Sequence, residues 1–143
     1  MSIEERIRAC QTAVEALIAA KGSGSDAALA EVLAQWSAHQ RGTPVYVADS
    51  SDFHNQYGDD RRGAYDMEDR MNELAAMERD RAIDTVMAAL PSADATAGVG
   101  ARVLQALDAL GAQRLGPYDQ RAVRGALWQL EKLLESSATH ARV

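Results

Sequence analysis

Apolar residues recur every three or four positions over most of this chain, and that spacing predicts amphipathic helices. The longest such segment, Tyr65–Leu90, contains no Gly or Pro and ends before Pro91. Four further helices are predicted at about residues 3–21, 26–40, 96–112 and 117–136. We therefore expect an all-α, five-helix bundle that forms one domain over residues 1–143, with one long irregular crossover loop at about residues 41–64.

Residues at the ends of these helices have side chains suited to capping. Ser2 and Glu5 have the spacing of a capping box, and Gly22 follows Lys21 where the first helix should end. Ser25 or Asp26 is expected to cap the second helix. The predicted caps of the fourth helix are Ser92, Asp94 or Thr96, and the glycines predicted to let a neighbouring helix approach closely are Gly98 and Gly100.

The first helix carries a seam of apolar residues spaced alternately by four and three positions: Ile3, Ile7, Cys10, Val14 and Leu17. This is a heptad pattern, but it lasts only about two heptads. We interpret it as the core-facing side of a helix within the bundle. The alternative is a contact between copies of the chain, which would make the protein a structural homo-oligomer or homodimer.

The 41–64 connection has no helical period, and a connection this long usually has a function, is disordered or contains an element that was missed. Four of the seven Phe, Trp and Tyr residues lie at or near it. Tyr is common in recognition surfaces because it offers a large contact area at a low entropic cost. These rings either pin the loop to the bundle or are displayed to a partner. The candidates for a binding role are Tyr46, Phe53, His54 and Tyr57.

The two sides of the long helix differ in chemistry. Glu78 falls within its predicted core stripe, which consists of Met67, Met71, Leu74, Ala75, Ala82, Val86 and Ala89. Glu78 either lies at the stripe's edge and meets an Arg, or is a buried carboxylate with a raised pKa. The opposite side carries an acidic ridge made of Asp66, Asp69, Glu73, Asp80 and Asp84.

Three interpretations of this acidic ridge are open. It is an ordinary solvated face, it pairs within the fold with Arg121 and Arg124, or it binds a basic protein surface. The formal charge of the chain is −6, and residues 41–90, with six basic and eleven acidic residues, carry −5. An acidic middle disfavours direct binding to nucleic acid or to an anionic membrane and is compatible with a basic partner.

Common catalytic and metal-binding patterns are missing from the sequence. Asp49, Asp52, Asp59 and Asp60 do not follow calcium-loop spacing, and no Glu-x-x-His occurs near a histidine. The one cysteine, Cys10, lies on an apolar seam and forms no internal disulfide. We therefore predict neither a cofactor nor a metal. With no signal segment and no apolar run of membrane-spanning length, we expect a cytoplasmic protein.

Residues 87–103, MAALPSADATAGVGARV, have a pattern in which an acidic helix ends in Ala-x-Pro and a Thr-x-x-Gly turn leads into a helix with a basic residue. In this respect the chain resembles uncharacterised small helical proteins of alphaproteobacterial and phage genomes. The positions that carry the resemblance are Pro91, Thr96, Gly98 and Arg102. Arg102 stands where Lys is expected, and Gly100 departs from the pattern. The resemblance implies a phage or mobile-element origin and no assigned activity.

Three classes of function follow from these observations. The first is a non-enzymatic protein–protein interaction module that presents the acidic ridge and the aromatic loop to a basic partner. If that partner binds nucleic acid, the protein would act as an inhibitor of the phage type by mimicking nucleic acid. The second is an enzyme or small-ligand-binding bundle with a pocket near Glu78 and His54. The third is the structural homo-oligomer.

Overall fold

The computed structural model describes residues 1–90 and 98–141, and within these ranges every regular element is helical, with no strand. Five long helices and a single-turn helix, α3, follow one another. Their bounds are α1 Ile3–Lys21, α2 Ser25–Gln40, α3 His54–Tyr57, α4 Arg61–Met87, α5 Val99–Gly111 and α6 Pro117–Ala141. The prediction of an all-α helical bundle is confirmed.

α6 lies along α1, α2 and α4, and α1 also packs against α2 and α5, so the apolar stripes meet in one core. Each large apolar side chain that is fully buried contributes roughly 1.5–3 kcal/mol. The indole of Trp36, deep in this core, donates a 2.8 Å hydrogen bond from Nε1 to the carbonyl of Ala126. The predicted stripes of α2, α5 and α6 are buried as expected: Leu29, Val32, Leu33, Trp36, Val99, Val103, Leu107, Leu110, Val123, Leu127, Leu130 and Leu134.

α1 begins and ends where the sequence indicates. The Ser2 hydroxyl accepts a hydrogen bond from the Glu5 main-chain N–H at 3.1 Å, and Gly22 after Lys21 adopts a φ of 53°, which favours glycine. Four residues of the apolar seam are buried within the single chain: Ile7, Cys10, Val14 and Leu17. A contact between copies of the chain would therefore have to use another surface.

The capping of α2 differs from the prediction, and a residue of α2 contributes to the N-terminus of α5. α2 begins at Ser25 after Gly24, so Ser25 is a helical residue and no side chain caps this helix. Asp26 instead accepts a 3.2 Å hydrogen bond from the main-chain N–H of Val99, the first residue of α5. An acceptor from a neighbouring helix thus satisfies one of the free N–H groups at the α5 N-terminus. The predicted caps Ser92, Asp94 and Thr96 lie outside the described residues.

Gly100 of α5 lies against side chains of both α1 and α2. A Cβ atom at this position would overlap the Ile18 side chain and would lie 3.7 Å from Leu29. The absence of a side chain therefore lets the helices approach, as predicted for this glycine. Two residues further along α5, the partly buried guanidinium of Arg102 has two nitrogens, Nε and Nη1, without a hydrogen-bond partner among the described residues.

α4 is displaced by several residues from its predicted bounds of Tyr65–Leu90. It begins at Arg61, because Asp60 caps it by accepting from the Gly63 N–H at 3.2 Å, and it ends at Met87. Its buried side is also rotated by about 50° from the predicted stripe, at 100° per residue. Leu74, predicted in the core, is 41% exposed, and Met67 and Met71 are only partly buried. The later part of the predicted stripe is buried as expected: Ala75, Ala82, Val86 and Ala89. The other buried residues of α4 are Ala64, Arg79 and Ile83.

The connection between α2 and α4 spans residues 41–60, shorter than the predicted 41–64. Its second half contains a 3-10 turn, Ser50–Phe53, followed directly by α3. Asp49 begins the turn, and its carboxylate accepts from the Ser51 main-chain N–H at 2.9 Å. This bond, with hydrogen bonds from the Ser51 and Ser50 side chains, holds the pKa of Asp49 below its usual range. The connection is therefore partly regular rather than wholly irregular.

Candidate functional site

The buried charge on α4 belongs to Arg79, which is 2% exposed. Its Nη1 donates to the carbonyl of Thr43 at 2.7 Å, and its Nε and Nη2 each lie 3.1 Å from Oδ1 of Asp80. A guanidinium can be buried only when its donors are satisfied. Here those contacts join the core face of α4 to the start of the connection.

Glu78, the neighbour of Arg79, is not deeply buried. Its side chain is 24% exposed, and it pairs with Arg81, one turn further along α4, at 2.8 Å. It therefore lies at the edge of the stripe and meets an arginine, which is the first of the two sequence-based interpretations. The buried charge of this helix is one residue further along, at Arg79. The cause is the rotation of α4, which moves position 79 inward.

The acidic ridge divides into two halves with different electrostatics. Asp80 pairs with Arg79, and Asp84 forms an ion pair with Arg41 at the end of α2. Asp66, Asp69 and Glu73 are exposed and form no ion pair within the described part of the chain. Only the N-terminal half of the predicted ridge therefore presents unpaired carboxylates to the solvent.

The two arginines predicted to pair with the ridge bind main-chain carbonyls instead. Arg121 donates to the carbonyl of Val47 at 3.0 Å, and Arg124 donates to the carbonyl of Met1 at 2.9 Å. The guanidinium of Arg121 also lies 5.7 Å from the centre of the Tyr118 ring. The internal pairing of the ridge thus exists, but it uses Arg41 and Arg79 rather than the arginines of α6.

Asn72 fixes the first half of the connection against α4. Its Oδ1 accepts from the main-chain N–H groups of Val47 at 2.9 Å and Ala48 at 2.8 Å, and its Nδ2 donates to the carbonyl of Ala48 at 3.2 Å. Together with Arg79 at Thr43 and Arg121 at Val47, it ties down the main chain on both sides of Tyr46. The position of the Tyr46 backbone is therefore set by side chains of α4 and α6.

Between these anchors the Tyr46 side chain is 86% exposed, although it lies close to the bundle surface. It borders a cleft of about 260 Å³ together with the unpaired carboxylates of Asp69 and Glu73. We call this the acidic–aromatic cleft. Its other lining residues are Pro44, Val45, Asn72 and Ala76. The structure thus brings one predicted aromatic residue and two predicted acidic residues into a single concave surface.

The other predicted aromatic residues lie elsewhere and are partly buried. The Phe53 ring packs on Tyr118 of α6, with ring centres 6.2 Å apart and planes inclined by 45°. Tyr118 also donates to Asp52 at 3.2 Å. The pKa of Tyr118 is raised, first by desolvation and second by this hydrogen bond. Tyr57 packs against Gly63 at the start of α4. Phe53 and Tyr57 therefore anchor the second half of the connection.

His54 borders a second cleft, of about 210 Å³, whose other lining residues are Ser50, Ser51, Gly58, Arg61, Ala64 and Tyr65. Glu78 is not part of it. Tyr65 and Glu78 are thirteen residues apart on α4, which corresponds to about 20 Å along the helix axis. The sequence-based alternative of a single pocket near both Glu78 and His54 is therefore wrong, because the two residues lie at different levels of the bundle.

Asn72 and Arg79 are the two site residues that the sequence analysis missed. Arg79 lies close to the helical stripe formed by Ala75, Ala82 and Val86, so its position on the helix was a usable signal. However, charged side chains usually lie at the surface of a protein, and for that reason Arg79 was not predicted to be buried. The role of Asn72 depends on a contact with a segment 24 residues earlier, which no local pattern reports.

Comparison with known proteins adds no functional information. No family model matches the chain, and the searches of curated proteins and of solved structures found no match. In the part of the chain that the structure describes, no helix has the length and apolarity needed to cross a membrane. Among the described residues, no three His, Cys, Asp or Glu side chains lie close enough together to hold a metal ion.

Proposed function

We propose that this protein is a non-enzymatic, cytoplasmic interaction module that binds a basic protein surface through the acidic–aromatic cleft. The observation that carries the proposal is the division of the ridge. Asp80 and Asp84 are neutralised by arginines of the same chain, whereas Asp69 and Glu73 are left unpaired beside an exposed tyrosine. Unpaired carboxylates attract a positively charged partner and speed its association.

Tyr46 supports this proposal because a large exposed ring on an anchored main chain is well suited to recognition. Tyr is enriched among the residues that contribute most to binding energy in protein interfaces. Its main chain is already held by the bonds of Asn72, Arg79 and Arg121 to neighbouring residues, so less backbone order has to be gained on binding. The carboxylates would speed association with the partner and make it specific, and the Tyr46 ring would provide contact area in the complex.

A partner that itself binds nucleic acid would make the protein a competitive mimic of nucleic acid. The support for this form of the proposal is the spacing of Asp66, Asp69 and Glu73, which sets three unpaired carboxylates along one side of α4 over about two helical turns. The resemblance to uncharacterised helical proteins of alphaproteobacterial and phage genomes, which implies a mobile-element origin but no activity, is compatible with such an inhibitor.

The proposal can be tested by capturing partners from a lysate of the native host. The bait proteins are the wild type and the Asp69→Lys/Glu73→Lys variant. The matched control, Glu15→Lys/Glu31→Lys, makes the same charge change at exposed positions of α1 and α2. We expect a basic protein to be captured by the wild type and the control and to be lost by the cleft variant. Equal capture of that protein by all three baits would contradict the proposal.

A further inference from the structure

We propose that the acidic–aromatic cleft binds a single lysine or arginine side chain carried on an extended segment of the partner. This inference rests on the proposed function and makes it more specific. It identifies the partner's contact element as an extended basic peptide segment rather than a flat basic surface. The observations that support it are the size of the cleft, the chemistry of its lining and the free main-chain groups beside it.

The size of the cleft suits one side chain. Sites for drug-sized molecules usually have volumes of about 300–1,000 Å³. At about 260 Å³, the acidic–aromatic cleft falls below that range. A long unbranched side chain is the natural occupant of a space that is too small for most cofactors and that is bordered by both apolar and charged groups.

The lining suits an apolar stem that ends in a positive charge. Pro44, Val45 and Ala76 provide apolar surface for the methylene groups of a lysine or arginine. Asp69 and Glu73 provide two carboxylates from successive turns of α4, where the Cβ atoms of residues four apart lie about 5–6 Å from each other. The Tyr46 ring adds a face for a cation–π contact with that charge.

The main chain beside the cleft has unused hydrogen-bonding groups. Thr43, Val47 and Ala48 have main-chain groups bonded to side chains of α4 and α6. Val45 and Tyr46, between them, make no hydrogen bond within the described residues. An extended peptide can pair with such groups while its side chains enter an adjacent pocket. This arrangement would direct a basic side chain of the peptide toward Asp69 and Glu73.

The inference can be tested by NMR titration of the intact, isotope-labelled protein with small capped amino acids. The probes are N-acetyl-lysine N-methylamide, N-acetyl-arginine N-methylamide and, as an uncharged match, N-acetyl-norleucine N-methylamide. We expect saturable shifts of amide signals at Val45, Tyr46, Asp69, Asn72 and Glu73 with lysine or arginine and none with norleucine. An absence of saturable shifts, equal shifts with norleucine, or shifts centred elsewhere would overturn the inference.

Two sets of variants separate the elements of the site. Tyr46→Ala and Asp69→Asn/Glu73→Gln should each weaken binding of the better probe at least fivefold, whereas Glu15→Gln/Glu31→Gln should leave it unchanged. Circular dichroism checks that each variant is folded. Equal affinity of the cleft variants and the wild type would refute the site.

The extended form of the ligand needs its own comparison. A capped Gly-Lys-Gly or Gly-Arg-Gly peptide should bind at least fivefold more tightly than the single amino acid, because it can also pair with Val45 and Tyr46. Equal affinity would refute the peptide pairing. A partner that depends on Asp69 and Glu73 in the capture experiment, found together with no binding of these probes, would leave the proposed function standing and refute this inference.

Discussion

The guanidinium of Arg79 donates a 2.7 Å hydrogen bond to the main-chain carbonyl of Thr43. This bond links a charge in the core face of α4 to the segment that precedes Tyr46. It makes the acidic–aromatic cleft a consequence of how the connection is anchored. The cleft is therefore sensitive to buried residues that do not line it.

Arg79→Met should lower the free energy of unfolding by about 1–3 kcal/mol, because the carbonyl of Thr43 and the carboxylate of Asp80 lose a charged donor. Arg81→Met is the matched control, since Arg81 makes an exposed ion pair with Glu78 and should contribute less than about 1 kcal/mol. Urea denaturation measures both variants. Equal effects of the two substitutions would show that the buried position of Arg79 has no energetic importance.

Asn72→Ala should expose the main chain of the connection to exchange with solvent. The amides of Val47 and Ala48, which donate to Asn72 Oδ1, should exchange faster with deuterium in this variant. Asn72→Asp is the matched variant, because one carboxylate oxygen still accepts both bonds, whereas the other replaces the donor to the Ala48 carbonyl by an acceptor. It should keep more of the protection than Asn72→Ala. Unchanged exchange in Asn72→Ala would mean that other contacts hold the segment.

Asp26→Ala should lower the free energy of unfolding by about 1 kcal/mol, the usual cost of losing a helix cap. Asp26→Asn keeps an oxygen acceptor for the Val99 N–H and should cost only a few tenths of a kcal/mol through the lost charge at the α5 N-terminus. Thermal or urea unfolding distinguishes the two. An equal loss in both variants would assign the stabilisation to charge rather than to the hydrogen bond.

Cys10 should be unreactive in the folded protein and should make stability depend on pH in alkaline solution. Burial, the largest cause, raises the pKa of its thiol from 9.0 to about 12. The folded chain therefore holds this proton more tightly than the unfolded chain. The resulting stabilisation is fully present below pH 9 and is lost as the pH rises toward about 12.

Iodoacetamide labelling provides the first measurement on Cys10, with slow reaction expected in the native protein and fast reaction in denaturing urea. The second is the stability difference between the wild type and Cys10→Ala, which should be constant below pH 9 and should narrow above it. Rapid labelling of the native protein, or a difference that stays constant at alkaline pH, would show that the thiol is accessible to solvent.

The extent to which the sequence predicts this structure can be seen from individual residues. The stripes of α2, α5 and α6 follow from local periodicity alone, because each helix has large apolar residues on one side, such as Trp36 on α2, Leu107 on α5 and Leu127 on α6. The rotation of α4 did not follow, because its apolar residues include many alanines and a connection from 24 residues earlier covers one side of it. For the same reason the sequence identified Asp69, Glu73 and Tyr46 separately but not their shared cleft.

Neutralisation of two carboxylate pairs on α4 tests the central claim most directly, with affinity for the partner identified by capture as the measurement. Asp69→Asn/Glu73→Gln should weaken binding at least tenfold, about 1.4 kcal/mol, and should leave stability nearly unchanged. Asp80→Asn/Asp84→Asn removes the same charge from the same helix, but its carboxylates are paired internally. This second variant should lower the stability of the fold. It should change affinity less than about threefold, because the loss of surface charge should alter the binding free energy by less than about 1 kcal/mol. Equal loss of affinity in both variants, or loss only in the second, would contradict the account.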